Sequence, residues 1–98
     1  MTRNIAITNI ARSEQFQAEW LSASKDVQLA AKRALALLLQ NPRANSLRLH
    51  PLTGHAKPTV WKIDVFPNHS WQITFELENG TAYLKRIASH KDLDRRPR

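Results

Sequence analysis

The sequence has no cysteine and only two glycines, Gly54 and Gly80. The missing cysteine excludes a disulfide framework, a thiol nucleophile and a zinc–thiolate cluster. It also fits a reducing compartment, so a cytoplasmic location is expected. Two distant glycines cannot build a phosphate-cradling loop or a dinucleotide-binding turn, and no nucleophile elbow is present. The four histidines, His50, His55, His69 and His90, show neither an H-x-x-x-H nor an H-E-x-x-H spacing, so no metal site is expected. The longest apolar run is Ala34 to Leu39, far too short to cross a bilayer. The N-terminal stretch alternates apolar with polar residues and reads as no signal peptide. No membrane association is expected.

Acidic residues are scarce. Fifteen Lys and Arg stand against eight Asp and Glu, a formal net charge of +7 on 98 residues. Such an excess on so small a domain favours polyanionic partners through steering and counterion release. A hydrophobic fraction of 42% still supports a modest core, so one folded domain over 1–98 is expected.

Asn4 to Asn9 alternates Ile5 and Ile7 with polar or small residues and reads as a strand. Ser13 is a candidate cap for a helix with Phe16, Trp20 and Ala23 on one face, ending near Ser24. Asp26 is the candidate cap of a second helix. Its stripe is Val27, Ala30, Ala31, Ala34, Leu35 and Leu38, and Asn41-Pro42 ends it. Leu47 to His50 reads as a short strand, and Pro51 demotes the residues after it to an edge or a loop. Alternating runs from Val60 to Phe66, Trp71 to Leu77 and Thr81 to Ser89 read as three further strands. The expected fold is α+β: an N-terminal strand, then an antiparallel two-helix hairpin packed on a curved antiparallel sheet of three to four C-terminal strands.

Asn79-Gly80 is a strong two-residue hairpin signal, because both turn positions need positive φ. Centring the turn there pairs Glu78 with Thr81. An unbroken ladder then sets Phe75 opposite Leu84, Thr74 opposite Lys85, Ile73 opposite Arg86, Gln72 opposite Ile87 and Trp71 opposite Ala88. Leu77, Phe75, Ile73, Trp71, Ala82 and Leu84 form the apolar face, with Arg86 at its margin. The same ladder sets His69 opposite His90, unless a bulge at residues 68–70 interrupts it.

Histidine suits proton transfer near neutral pH. Lys57, Lys62, Lys85, Arg86 and Lys91 are the basic residues near the predicted sheet. Arginine offers phosphate a bidentate fork and lysine a point charge. Histidine with lysine or arginine is a sufficient set for cleaving RNA without metal. One group takes the 2′-OH proton, cations stabilise charge on phosphorus, and a second group protonates the leaving 5′-oxygen. DNA lacks that internal nucleophile. Core packing is expected for Trp61 and Trp71, while Tyr83 is open to base stacking.

The element order resembles the RelE/ParE superfamily of bacterial type II toxins. So do Gln40-Asn41-Pro42, His50-Pro51-Leu52-x-Gly54, Val60-Trp61-Lys62-Ile63, Trp71-Gln72-Ile73-Thr74-Phe75 and Arg86-x-x-Ser89-His90-Lys91-Asp92-Leu93. The His-Pro-Leu-x-Gly segment and the terminal histidine are most similar to the YafQ-like branch. The resemblance implies a toxin neutralised by a cognate antitoxin. In the RelE and YafQ branches it implies cleavage of mRNA in the ribosome without metal or cofactor; in the ParE branch it implies inhibition of DNA gyrase. The partners implied are the antitoxin, the ribosome and mRNA, with no small-molecule ligand. The active-site histidines of the YafQ-like branch carry over to His50 and His90, and Arg86 matches a basic residue of the last strand. The chain departs from the pattern at Ser70, where an Asp is usual, at Gln72, where RelE-like members often have Arg, and at Asp94, where an aromatic is usual. His69, beside Ser70, is the candidate substitute for the missing Asp. Expected site residues are His50, His69, His90 and Arg86 for chemistry, with Lys57, Lys62, Lys85 and Lys91 for RNA.

Overall fold

The computed structural model describes residues 7–51 and 59–95. His55 and Lys57 lie outside them, as does the first half of the predicted first strand, residues 4–6. The elements run β1 (Asn9–Arg12), α1 (Glu14–Ser22), α2 (Lys25–Gln40), a 3-10 turn at Asn45–Leu47, β2 (His50–Pro51), β3 (Val60–Asp64), β4 (Trp71–Glu78), β5 (Thr81–Ser89) and α3 (His90–Arg95). The α+β layering is as expected. Among the described residues the sheet has five strands in the order β1-β5-β4-β3-β2, and it is mixed, because β1 runs parallel to β5. Among the described residues the first strand is Asn9–Arg12, so the expected strand and the observed one share Asn9. Leu47 closes the 3-10 turn, and among the described residues the strand that follows is His50–Pro51 at the sheet edge, where a proline is tolerated. Among the described residues no helix is long and apolar enough to cross a membrane.

Ser13 caps α1 by accepting the Phe16 N–H, as its position suggested. The cap of α2 is Ser24, which accepts the Val27 N–H, and Asp26 sits inside the first turn. Both residues suit a helix start, but a cap must stand before the helix, with extended backbone. The α2 stripe buries Val27, Ala31, Ala34 and Leu38. With Phe16 of α1 they meet Ile63, Ile73, Phe75, Ala82, Leu84 and Ile87 from the sheet in one core. Each fully buried large side chain there contributes about 1.5–3 kcal/mol.

The Asn79-Gly80 turn forms as expected, with φ of 51° and 80°. Pairing from it holds through Phe75–Leu84 and then slips by one residue. Beyond the slip Thr74 pairs with Arg86, Ile73 with Ile87, Gln72 with Ala88 and Trp71 with Ser89. The extra residue is Lys85, so the ladder carries a bulge where an unbroken one was expected. The slip puts Ile87 on the core face and takes Arg86 off its margin. Side chains of the β1–α1 junction and of α1 complete this edge of β5. Ser13 donates its hydroxyl to the Lys85 carbonyl at 3.0 Å, and Glu19 accepts the Ile87 N–H at 3.0 Å. An open sheet edge is thereby covered.

Candidate active site

The sheet's second face is polar yet buried. Lys62, Asp64, Gln72 and Thr74 are all at most 8% exposed. Lys62 pairs with Thr74 and Asp64 with Gln72, so alternation places them together, away from the helices. A cleft of about 610 Å³ opens here, lined by His50, Lys62, His69, His90 and Lys91 among others. Five of the expected site residues are therefore brought to one cleft.

Two short loops deliver the arginine and one of the histidines. After β3, the His69 N–H closes a turn onto the Phe66 carbonyl, and His69 leaves it with φ of 62°. Arg48 ends the 3-10 turn with φ of 48°. Left-handed backbone costs a residue with a Cβ about 1–2 kcal/mol. Such conformations gather at functional sites. These two strained residues bond to each other. The Arg48 Nη1 donates to the His69 Nε2 at 2.8 Å.

From His69 a chain of hydrogen bonds crosses the cleft floor. His69 Nδ1 donates to Asp64 Oδ2 at 2.5 Å. Gln72 Nε2 donates to Asp64 Oδ1 at 2.9 Å, and the Gln72 Oε1 accepts from His90 Nδ1 at 3.1 Å. The Asp64 carboxylate, 2% exposed, is thus held on both oxygens, with the Arg48 guanidinium 3.7 Å away. His50 Nδ1 donates to the Arg48 backbone carbonyl at 2.5 Å. Each of the three imidazoles has its Nδ1 tied down, so in the neutral ring Nε2 carries the lone pair. That is the atom proton transfer uses.

Lys62 stands at the bottom of this arrangement. It is 8% exposed and has no hydrogen-bond or ion-pair partner among the described residues, yet its ammonium is not sealed from the cleft. A buried cation without a counter-ion is costly, and an anion entering the cleft relieves that cost. No group of three or more His, Cys, Asp or Glu able to hold a metal ion is found among the described residues.

The remaining expected residues lie elsewhere. Lys85 pairs with Glu76 at 2.7 Å and does not line the cleft. Arg86 is turned to α1, where Glu19 Oε2 accepts from its Nε at 3.0 Å and its Nη2 at 2.5 Å. That makes it a tie between helix and bulge, and it too does not line the cleft. His69 does not pair with His90 across the ladder. The His90 N–H donates to the Ser70 carbonyl, and the two imidazoles share the cleft through Asp64 and Gln72. Tyr83 is 43% exposed; Trp61 and Trp71 pack against the core, and Trp71 also lines the cleft.

Sequence reasoning missed Arg48, Asp64 and the bridging role of Gln72. Asp64 and Gln72 were open to discovery, because each alternates with core positions, Ile63 and Ile73, and so falls on the face that carries Lys62. Nothing in the sequence marks Arg48, which reaches the cleft from an irregular loop.

No family model matches this sequence, and no curated protein matches it. Solved structures do. A chain of the E. coli DinJ–YafQ toxin–antitoxin complex superposes with a TM-score of 0.70 at 24% identity, covering 89% of this chain and 98% of that one. YafQ from E. coli strain BL21(DE3) gives 0.69 at 24% identity, covering 87% and 96%. E. coli toxin RelE in the free state gives 0.68 at 16% identity, covering 90% and 88%. The chain has the fold of the RelE-like toxins, with YafQ structures among those it matches over nearly their whole length.

Proposed function

We propose that this chain is the toxin of a type II toxin–antitoxin pair and that it cuts ribosome-bound mRNA without a metal ion. The fold likeness supports the class. The observation that carries the chemistry is the cleft, where a lysine with no counter-ion among the described residues stands among three imidazoles that each have Nδ1 engaged. The phosphodiester sits against Lys62, with Lys91 and Arg48 at the rim. One histidine, His50 or His69, takes the 2′-OH proton on Nε2. The 2′-oxygen attacks phosphorus, and His90 protonates the departing 5′-oxygen. The products are a 2′,3′-cyclic phosphate and a 5′-hydroxyl. The basic surface suits both ribosomal RNA and an acidic antitoxin segment.

Mapping mRNA 5′ ends in a translating extract tests this reading. Wild-type protein creates new ends, and His90→Ala, folded by circular dichroism, lowers their yield at least ~100-fold, as loss of a general acid does. Unchanged ends with His90→Ala would sink the assignment. Inhibition of gyrase supercoiling with no new ends would place the chain with the ParE-like toxins instead.

A further inference from the structure

Of the cleft's three histidines, His69 is the one built as a base. Its Nδ1–H is held by a buried carboxylate, which orients the ring and stabilises the imidazolium formed when Nε2 takes a proton. Yet that Nε2 is occupied, because the Arg48 guanidinium donates to it. The base is complete and blocked.

The blocking group is poorly anchored. The Arg48 side chain is 54% exposed, and its approach to Asp64 is a long 3.7 Å. It also borders three clefts: the one with the histidines, a groove of about 500 Å³ along α2, and a shallower one beside His50. Open space on several sides lets the guanidinium swing without disturbing the core. What it holds now is a neutral nitrogen. A phosphate offers a full negative charge and two oxygens at once, so the guanidinium gains an ion pair and a bidentate fork there that a single ring nitrogen cannot give it.

We propose that Arg48 is a phosphate-released latch on His69: a phosphodiester entering the cleft draws the guanidinium off Nε2 and onto its own oxygens, uncovering the base only when substrate is present. This rests on the RNA-cleaving reading and decides which histidine is its base. The 2′-OH proton then passes to His69 Nε2, the 2′-oxygen bonds to phosphorus, the bond from phosphorus to the 5′-oxygen breaks, and that oxygen takes its proton from His90. Arg48 is a positioning residue, holding first the base and then the phosphate. The other charged or titratable groups facing this exchange are Asp64, Lys62, His50 and Lys91. Both residues that meet here, Arg48 and His69, have left-handed backbone and stand on separate loops.

The test uses full-length protein with 15N-labelled histidine and an uncleavable 2′-deoxy trinucleotide. In the wild type, the His69 Nε2 resonance moves as the trinucleotide saturates the cleft. In Arg48→Asn, a change that tolerates left-handed backbone, Nε2 already sits at the saturated wild-type position and moves little further. A wild-type Nε2 that stays in place at saturation, or no binding of the trinucleotide at all, overturns the latch. Kinetics in the translating extract supply a second measure. Arg48→Asn raises KM roughly tenfold, the loss falling on KM rather than kcat, as for a lost phosphate contact. His69→Gln lowers kcat roughly 100-fold. If His69→Gln cleaves normally while His90→Ala does not, the latch fails and the nuclease reading survives. If neither substitution matters, the nuclease reading itself has failed.

Discussion

The two faces of this sheet are buried to a similar degree and for opposite reasons. On the helix side, Ile73 and Phe75 of β4 are wholly enclosed among apolar neighbours. One residue along the same strand, Gln72 and Thr74 are as deeply covered, beside Lys62 and Asp64. The first face lowers the free energy of the fold with every side chain it covers. The second offsets the cost of enclosing polar groups with hydrogen bonds where it can, and leaves two groups short. Those are the Lys62 ammonium and the Thr74 hydroxyl, neither with a partner among the described residues. A face that gives up stability in this way is the face where chemistry belongs.

The contrast can be tested by substituting on each side. Phe75→Ala opens a cavity in the helix-side core and costs about 3–5 kcal/mol, read from the urea midpoint. Cleavage per folded molecule stays within about twofold, since no cleft residue moves. Asp64→Asn keeps the shape but removes the charge behind His69. Cleavage falls roughly 100-fold, about 2.7 kcal/mol at the barrier, with a smaller change in urea stability. A core-sized loss of stability with full activity for Asp64→Asn would erase the distinction between the faces. Thr74→Val replaces the orphan hydroxyl by a methyl of like shape and stabilises the protein by about 1 kcal/mol; a clear destabilisation would show that the hydroxyl is satisfied after all. Lys85→Gln loses a part-exposed ion pair with Glu76 and shifts stability by at most about 0.5 kcal/mol. Its cleavage activity stays within about twofold, and a large loss would extend the RNA path beyond the cleft.

Much of the helix-side face was legible in the sequence, because periodicity reports burial against apolar partners. The α2 stripe and the Asn79-Gly80 turn each have one physical solution, and both formed as read. The ladder beyond Phe75 was not legible in the same way. Lys85-Arg86 and Ile87-Ala88 are like pairs of neighbours, so alternation loses its phase there, and an unbroken count put Arg86 and Ile87 on the wrong sides. That broken alternation is itself the mark of a bulge. His50, His69 and His90 were found as residue types suited to chemistry, but their wiring was not. It runs through Asp64 and Gln72, whose pairing is set across a loop of residues 65–70 with no two-residue turn to fix the register. Arg48 depends on a left-handed loop residue that no pattern announces.

The parallel alignment of β1 with β5 has a mechanical consequence. Tension applied between residue 9 and residue 95 pulls these neighbours in opposite directions along their length. The four residue pairs from Asn9–Thr81 to Arg12–Leu84 are then loaded together in shear, and cannot be peeled apart one at a time. The Ser13 and Glu19 bonds to β5 continue that loaded seam beyond the strand. A machine that unfolds this chain by pulling on its C-terminal end meets this shear-loaded seam, whereas one that grips the loop between β3 and β4 can unzip the sheet pair by pair from the β2 edge.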